Sequence, residues 1–250
     1  MKKLTRIALA LTAGSMVAAC ASVQSTPVSP ASLEGRTWVL ESVDGEGPVY
    51  GKRIVMTFQP ESSTSGKMYG LGPCNRFFGG YTLANNGTTI NFGTVGNTMM
   101  ACEPKVMDQE LKFMAAFVPT HNISLHGDQL VMTSEDKSKS LTFLPESSQI
   151  KGKLSFKGEL PAGSEIVVRL EDSSLMDVAA ITIAEEAIKL DKATSSPVSF
   201  DMNYAPHLLT QSHTYTVRAE VISQGMLIYT TTTRNLADFD KPMTVNLDKQ

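Results

Sequence analysis

Apolar and polar residues alternate along much of the chain after residue 35, and this alternation predicts β-strands. Between residues 36 and 60, "RTWVLESVDG" is followed by "KRIVMTFQP". Apolar side chains occupy every second position in these runs, at Trp38, Leu40, Ile54, Met56 and Phe58. A period of two is typical of strands that are buried on one face. Further along, Asn86 and Gly87 separate two alternating runs and favour a tight hairpin turn.

Residues 103–119 interrupt this pattern and predict the one long helix of the first domain. Apolar residues follow one another there at spacings of three and four, at Met107, Leu111, Met114, Ala115 and Val118. Such spacing is typical of an amphipathic helix whose apolar stripe faces the core, with the methionines as core filler. Pro104 suits the first turn of the helix, and Pro119 ends it. One helix packed against a curved sheet gives a β-rich domain.

The last hundred residues predict a second domain built from strands alone. Residues 150–250 contain seven short β-branched runs separated by turns, and no convincing helix. This pattern is typical of an all-β sandwich, in which Gln224 and Gly225 form the clearest hairpin turn. A polar break follows Pro145, so we place the boundary at residue 147. The predicted domains are residues 35–146 and 147–250.

The N-terminus is typical of a secretory signal peptide, residues 1–19. Lys2, Lys3 and Arg6 precede a short apolar run, and small residues then lead to Cys20. The segment "VAAC" resembles the lipobox of bacterial lipoproteins, which implies that Cys20 is acylated and anchors the protein to the membrane. The resemblance also implies outer-membrane retention, facing the periplasm, because no aspartate follows Cys20.

The segment between this anchor and the first domain is rich in serine, proline and alanine. We therefore predict that residues 20–34 form a lipidated flexible tether. A fully extended tether would hold the body about 40 Å from the bilayer, at ~3.3 Å per residue.

The charge of the mature chain excludes one class of partner. The full sequence has 22 Lys and Arg against 25 Asp and Glu, and removing the three basic residues of the signal peptide leaves 19 against 25, a net charge of −6. Nucleic-acid binding needs clustered basic residues that neutralise phosphates. No basic patch is present, so we expect no nucleic-acid partner.

Two cysteines remain after lipidation of Cys20. Cys74 lies in "GPCNRFFGGY", residues 72–81, where its thiol is compatible with a nucleophile, a metal ligand or half of a disulfide. A zinc site takes four ligands, and no further ligands are found at suitable spacing. A nucleophilic cysteine needs a nearby base, and none is found either. In an exported chain the default is a disulfide, which would join Cys74 to Cys102.

No catalytic constellation can be assembled from the sequence. His207 and His213 flank "LLTQS" without an acid or nucleophile at a characteristic spacing. Gly70 and Gly72 open "GLGPCN", but the third glycine of a dinucleotide fingerprint and the Walker lysine are missing. We therefore predict that the protein is not an enzyme and has no catalytic residues, no cofactor and no metal site.

The first domain resembles the META domain of HslJ-like envelope proteins. "PCNRFFGGYTL", then "INFGTVGNTMMAC", then an amphipathic helix carry this resemblance. The matching positions are Cys74, Asn75, Phe77, Gly79, Tyr81, Thr98, Met100, Ala101 and Cys102. The resemblance implies a cracked β-barrel fold and an association with envelope stress and drug tolerance. It implies no reaction.

The second domain resembles the YbaY and YscW lipoproteins, which include pilotins of secretion systems. "LPAGSEIVVRLEDSSLMDVAA", "PVSFDMNY" and "HTYTVRAEV" carry this resemblance. Asp172, Ser174 and Asp177 form its most recognisable cluster, and the two carboxylates could be imagined as calcium ligands. We favour turn capping by these short polar side chains.

These observations predict an outer-membrane lipoprotein that binds or scaffolds an envelope protein without catalysis. Assistance to secretin or outer-membrane assembly is implied by the second resemblance. The alternative function is a carrier that holds a small hydrophobic ligand or lipid in the mouth of the META barrel.

Overall fold

The computed structural model of the protein describes residues 25–49, 52–175 and 179–250. Over these residues the chain folds into a β-barrel with one long helix, followed by a β-sandwich. The predicted mainly-β fold is therefore confirmed. No helix in the described ranges combines the length and the apolar character that a membrane crossing requires. The signal peptide and Cys20 lie outside the described residues.

The first domain is an antiparallel barrel. In chain order its elements are β1 (Ser25–Thr26), α1 (Pro30–Leu33), β2 (Trp38–Val43), β3 (Val55–Pro60), β4 (Ser65–Leu71), β5 (Arg76–Ala84), a 3-10 turn (Asn85–Gly87), β6 (Thr89–Phe92), β7 (Gly96–Asn97), α2 (Pro104–Phe117), β8 (Thr120–His126), β9 (Gln129–Ser134) and β10 (Ser140–Pro145). Eight strands close in the order β8-β6-β5-β4-β3-β2-β10-β9, because β9 also pairs with β8. The shortest seam joins β6 to β8 through Thr89 and Asn122 alone.

The interior of the barrel is filled by side chains. The largest fully buried ones are Trp38, Tyr81, Phe113, Phe117 and Phe143. An eight-stranded barrel is just wide enough inside for side chains to occupy it. The residues of the barrel therefore form a packed core.

The helix predicted over residues 103–119 is confirmed as α2, but the predicted buried stripe is wrong. Leu111 and Val118 are 67% and 61% exposed. Met107 and Met114 are half-buried at the edge of the contact. The buried face consists instead of Val106, Gln109, Glu110, Phe113, Ala116 and Phe117.

Aromatic packing and one carboxylate decide which face of α2 is buried. The ring of Phe77 lies 5.5 Å from that of Phe113 and 5.0 Å from that of Phe117. Aromatic side chains bury more apolar area than the exposed leucine and valine would. Glu110, on the same face, accepts hydrogen bonds from backbone groups under the helix. The spacing of apolar residues in the helix shows neither the aromatic ring nor the backbone N–H groups that its buried face contacts.

The tether predicted over residues 20–34 needs correction, because its second half packs on the barrel. β1 pairs with β8, and the Val28 N–H donates to the Gly87 carbonyl at 2.8 Å. Val28 and Leu33 are buried, and the Trp38 indole N–H donates to the Leu33 carbonyl at 3.3 Å. Three buried side chains, Val28, Pro30 and Leu33, together with these backbone hydrogen bonds dock an otherwise polar segment. From Cys20 to the start of β1 the chain spans at most about 17 Å, rather than 40 Å.

The second domain is the predicted sandwich. Its elements are β11 (Ser148–Ser155), β12 (Glu159–Leu160), β13 (Glu165–Asp172), β14 (Ile181–Lys189), β15 (Thr194–Ser195), β16 (Val198–Tyr204), a 3-10 turn (Pro206–Leu208), β17 (Tyr215–Ser223), β18 (Met226–Thr230), β19 (Met243–Asn246) and β20 (Asp248–Lys249). A five-stranded sheet, β14-β13-β17-β18-β20, faces a three-stranded sheet, β16-β11-β19, across one hydrophobic core. The turn at Gln224 and Gly225 has positive φ at both residues, as a tight hairpin requires.

The two domains have separate hydrophobic cores that share no residue. Polar contacts join them: Arg53 of the barrel forms an ion pair with Glu146 at the domain boundary. His207 of the sandwich lies against Leu40 and Glu41 of the barrel. The boundary at residue 147, and independent folding of the two halves, remain predictions.

Candidate functional site

The Cys74 turn, residues 72–75, connects β4 to β5 and gathers several predicted motif residues. The Gly72 N–H donates to the Asn75 carbonyl at 2.7 Å. The buried Asn75 side-chain oxygen accepts from the Thr98 hydroxyl at 2.9 Å and from the Met100 N–H at 2.7 Å. Asn75 thus holds the segment after β7 against the turn. This contact explains why asparagine and threonine occur together in the motif.

A buried carboxylate from α2 completes the turn. Glu110 is 6% exposed, and its Oε2 accepts from the Cys74 N–H at 2.9 Å and the Asn75 N–H at 3.4 Å. A buried charge is costly unless it is hydrogen-bonded, and these two donors satisfy it. Gly72 leaves room for the contact, because an added Cβ would lie 3.0 Å from Glu110 Oε2. The turn, the helix and the segment after β7 therefore form one polar unit.

The structure joins Cys74 to Cys102 in a disulfide with Cα atoms 6.0 Å apart. The bridge links the same two segments that Asn75 holds together. Ala101, between Met100 and Cys102, is exposed. The disulfide and the asparagine therefore fix the position of the two methionines that precede Ala101.

We expect replacement of both cysteines by alanine to lower the free energy of unfolding of the barrel by roughly 3.5 kcal/mol, because the bridge closes a loop of 28 residues. Urea denaturation of the oxidised protein and the variant measures the difference. Non-reducing peptide mapping should show one crosslinked pair in the exported protein. Maleimide labelling of both thiols in the native protein would contradict the pairing.

Phe77, Gly79 and Tyr81 are inward positions of β5 and serve packing. Phe77 and Tyr81 are each 2% exposed. Gly70, opposite Phe77 on β4, leaves room for its ring, because an added Cβ would lie 2.0 Å from the ring. Gly79 leaves room for the tip of Met68, which would lie 3.1 Å from an added Cβ. Burial raises the pKa of Tyr81. These motif residues build the core and do not form a contact surface.

The outer side of the same strands carries an exposed apolar face, defined here as Tyr69, Leu71, Phe78, Met99 and Met100. These side chains are between 39% and 96% exposed. Tyr69 lies directly across from Phe78 in the β4–β5 pair. Arg76 is exposed beside them and places a positive charge at the edge of the face. Contiguous apolar surface of this kind marks interaction sites in soluble proteins.

A groove of 570 Å³ continues this face toward the sandwich. The barrel contributes Lys52, Arg53, Leu71, Gly72, Pro73, Cys74, Met100 and Cys102, and the sandwich contributes Ala179, Ala180, Ile181, Thr182 and Glu185. The groove therefore combines the disulfide, part of the exposed apolar face and a mostly apolar wall from residues 179–185 of the sandwich. It is open along one side and suits a polypeptide segment better than an enclosed small molecule.

The predicted second-domain cluster is partly assembled at one end of the sandwich. Asp172 Oδ1 accepts from the Ser174 N–H at 3.0 Å, and Ser174 Oγ accepts from the Thr214 N–H at 2.7 Å. These contacts have the geometry of turn capping. Asp177 lies outside the described residues. Within the described ranges, no group of three or more His, Cys, Asp or Glu side chains is arranged to hold a metal ion.

The two histidines of this domain need a correction. His213 Nδ1 lies 2.5 Å from Asp172 Oδ2, so His213 has the acidic partner that its sequence neighbourhood does not show. Asp172 has 3% side-chain exposure, and the pair closes the end of the sandwich. His207 is half-buried, and burial lowers its pKa, while the Leu40 backbone and Glu41 oppose this. Neither histidine lies beside a nucleophile in these contacts.

Comparison with known families agrees with this architecture. Residues 31–148 match the family described as the META domain, and residues 145–247 match the family described as "Type III secretion system lipoprotein chaperone (YscW)". The first half of the chain is therefore similar to META domains and the second half to YscW-type domains, and the two parts are called the META domain and the YscW-type domain below. Both resemblances carried by the sequence motifs are therefore confirmed.

Two solved structures are similar to part of the chain. An alternative pilotin from the type II secretion system of Vibrio cholerae is 25% identical, covering 41% of this chain and 98% of its own, with a TM-score of 0.37. A protein from Burkholderia xenovorans, solved by NMR, is 25% identical, covering 50% of this chain and 94% of its own, with a TM-score of 0.38. No curated protein matches the chain.

One functional residue of the META domain does not stand out in the sequence. Glu110 is the side chain that connects α2 to the Cys74 turn, and its sequence neighbourhood is that of a solvent-facing acid in a helix. Its position three residues before Phe113 and seven before Phe117 places it on their face. A helix pattern that gives priority to the aromatic residues would have shown this buried carboxylate. In the YscW-type domain, the missed contact is the pair of Asp172 and His213, which are 41 residues apart.

Proposed function

We propose that the protein is a non-catalytic, pilotin-like lipoprotein of the outer membrane that assists assembly of a secretin-type envelope protein. The match of residues 145–247 to a family of secretion-system lipoprotein chaperones carries this proposal. Neither matching family is described by a catalytic activity. The protein would act by binding its partner and bringing it to the membrane that holds its own anchor.

The YscW-type domain offers a docking surface at the end of the sandwich that carries Asp172 and His213. Leu175, Leu236 and Phe239 are exposed there. The ring of Phe239 lies 5.3 Å from that of Tyr204 and 6.1 Å from that of Tyr215, so it rests on a packed aromatic base. An apolar side chain presented on a rigid base is typical of an anchor in a protein interface. The proposed partner is a protein of a secretion system, since the matched family is described as a secretion-system lipoprotein chaperone.

The proposed lipid anchor acts together with the docked N-terminal segment. Acyl chains on Cys20 would attach the protein to the membrane, and β1 would hold the barrel within about 17 Å of that attachment. A captured partner would thus stay close to the bilayer. A short connection favours delivery to the membrane over free reach across the periplasm.

A second contact is favoured on the META domain by its exposed apolar face and the adjoining groove. Arg76 and Lys52 border this surface and favour a partner segment that combines apolar with acidic residues. We assign to this surface the role in envelope stress or drug tolerance that the META resemblance implies. The carrier alternative is less well supported, because side chains fill the barrel interior that would hold the ligand.

Two full-length variants of the YscW-type domain test the proposal. We expect Leu236→Glu to weaken partner binding at least tenfold, because a charge would replace an apolar anchor. Leu227→Glu places the same change on β18, where the side chain is also exposed, and should have little effect. The measurement is the amount of secretin multimer in outer membranes of a strain that lacks the wild-type protein. Both variants should melt like the wild type.

These experiments distinguish failure of the pilotin-like function from failure of the proposed docking surface on the YscW-type domain. If deletion of the whole protein leaves secretin assembly unchanged, the pilotin-like function is wrong. If deletion abolishes assembly but Leu236→Glu and Leu227→Glu both restore it, the docking surface is wrong. If Phe78→Glu abolishes secretin assembly and neither leucine variant does, the partner binds the META domain.

A further inference from the structure

A second groove, of 340 Å³, lies on the outer side of the sandwich and shares Ala180 with the groove of 570 Å³. Its floor is formed where β13 pairs with β17, and its wall is the segment 231–235. That segment is held in place because the Thr231 N–H donates to the Ala219 carbonyl at 3.0 Å and the Asn235 carbonyl accepts from the Val217 N–H at 2.8 Å. The groove therefore has a fixed floor and one fixed wall.

Polar side chains line almost the whole groove. They are Glu171, Ser173, Thr216, Arg218, Thr231, Thr232, Thr233, Arg234 and Asn235, together with Ala180. Half of these ten residues carry a hydroxyl group. A lining without large apolar side chains suits a hydrophilic ligand rather than an acyl chain or an aromatic compound.

Two side chains of the groove have buried oxygens that lack a hydrogen-bond partner within the described residues. Glu171 and Thr231 are each 7% exposed, and their Oε2 and Oγ1 atoms are left unpaired. Leaving such groups unsatisfied costs about 1–3 kcal/mol each, and more for a charged group. Glu171 in particular requires a hydrogen-bond donor.

Arg218 and Arg234 supply positive charge at the mouth of the groove. Arg169, on the same face of the sheet, is engaged by Glu185 at 2.7 Å and Glu220 at 2.8 Å. Over the described residues Arg218 forms no ion pair within 4 Å, and Arg234 donates only to the Ser173 hydroxyl, at 3.3 Å. Two guanidinium groups above a hydroxyl-rich floor match the requirements of an oxyanion.

We propose that this groove binds a phosphate group that retains one proton, either free phosphate or a phosphate monoester. Arg218 and Arg234 neutralise the anion, and the threonine hydroxyls donate to its oxygens. The Glu171 carboxylate accepts the hydrogen bond from the remaining P–OH. The site thus combines donors for the charged oxygens with one acceptor for the proton.

The surroundings of Glu171 agree with this role. Burial raises the pKa of Glu171, Arg218 and Arg169 lower it, and Glu220 raises it further. Burial thus disfavours an ionised carboxylate without a donor, and a ligand O–H supplies one. Arg218 and Arg234 still supply two positive charges for the anion, which has two negative charges as free HPO4²⁻ and one as a protonated monoester.

The acceptor makes the site selective. Sulfate has nearly the same size and geometry as phosphate but has no proton at neutral pH, so its oxygen would face the Glu171 carboxylate without a hydrogen bond. A hydrogen bond to a charged group contributes about 1.5–3 kcal/mol, which corresponds to roughly ten- to a hundredfold in affinity. We therefore expect phosphate to bind that much more tightly than sulfate.

Titration of the complete chain with inorganic phosphate and with sulfate, at matched ionic strength, tests the proposal. The readout is the shift of the backbone amide signals of residues 231–235. Glu171→Gln keeps the shape and adds an amide donor, so the preference for phosphate should disappear while sulfate binding increases. Arg218→Gln should weaken both anions roughly tenfold. Lys153→Gln, which removes one positive charge at an exposed residue of β11 in the other sheet, should leave both affinities unchanged.

Two vesicle compositions distinguish the source of the phosphate. Phosphatidic acid presents a monoester that retains a proton, whereas phosphatidylglycerol presents a diester without one. Shifts with phosphatidic acid vesicles and not with phosphatidylglycerol would identify a lipid headgroup, and shifts with inorganic phosphate alone would identify a free ligand. Equal binding of phosphate and sulfate by the wild type, or no binding in any arm, would overturn the proposal.

Discussion

Replacing Phe77 by alanine is expected to destabilise the META domain by about 3–5 kcal/mol. Its side chain is 2% exposed and packs on the rings of Phe113 and Phe117, which come from α2. Truncation removes the apolar contact and leaves a cavity between the barrel and the helix. Because Gly70 provides no side chain opposite, the space cannot be filled without movement of the backbone. Urea denaturation, followed by the fluorescence of Trp38, measures the loss.

The neighbouring residue is a matched control. Phe78 is 52% exposed and points to the opposite side of β5. Phe78→Ala should change the free energy of unfolding by less than about 0.5 kcal/mol, as surface substitutions do. A comparable loss in both variants would contradict the assignment of inward and outward faces on this strand. The two substitutions thus separate the core of the META domain from its exposed apolar face.

Replacing Cys20 by serine is expected to abolish retention of the protein in the outer membrane. The proposed anchor consists of acyl chains on this residue, and each buried methylene contributes about 0.8 kcal/mol to membrane binding. Serine cannot accept the thioether-linked lipid, so the variant should be found as a soluble periplasmic protein or as an unprocessed precursor. Fractionation of the envelope and mass spectrometry of the mature N-terminus measure the outcome.

Ser22→Ala is the control for this experiment, because it changes the mature N-terminus without removing the lipidated residue. It should fractionate with the outer membrane as the wild type does. Membrane retention of the Cys20→Ser protein with its signal peptide removed would contradict the anchor. Retention would then have to come from the folded domains themselves.

The sequence by itself determined the class of the fold and the order of its domains. Alternation along the runs at Trp38 and Ile54 is a local property, and a strand with one buried face must show it. The tight turn at Gln224 and Gly225 is local as well, since positive φ at two neighbours restricts the residue types. The META and YscW motifs could be read for the same reason, because each consists of short segments with characteristic residues.

The roles of most motif residues required the tertiary structure. Asn75 and Thr98 could be located in the sequence, but their hydrogen bond joins segments that are 23 residues apart. The sequence pattern placed Leu111 on the buried face of α2, where the structure places Glu110 and the phenylalanines. A helix can carry apolar residues on more than one face, and the element it packs against decides which face is buried. For α2 that element is an aromatic strand together with two backbone N–H groups.

Contacts between distant segments decided the remaining features. Val28 and Leu33 look like isolated apolar residues in a polar tether, and only the surface of the barrel shows where they dock. The pair of His213 and Asp172 and the groove above Glu171 likewise form where β13 and β17 meet. Periodicity records which side of an element is apolar, but it carries no information about which other element covers that side. That choice is made by packing and by the pairing of buried polar groups, and both exist only in the folded chain.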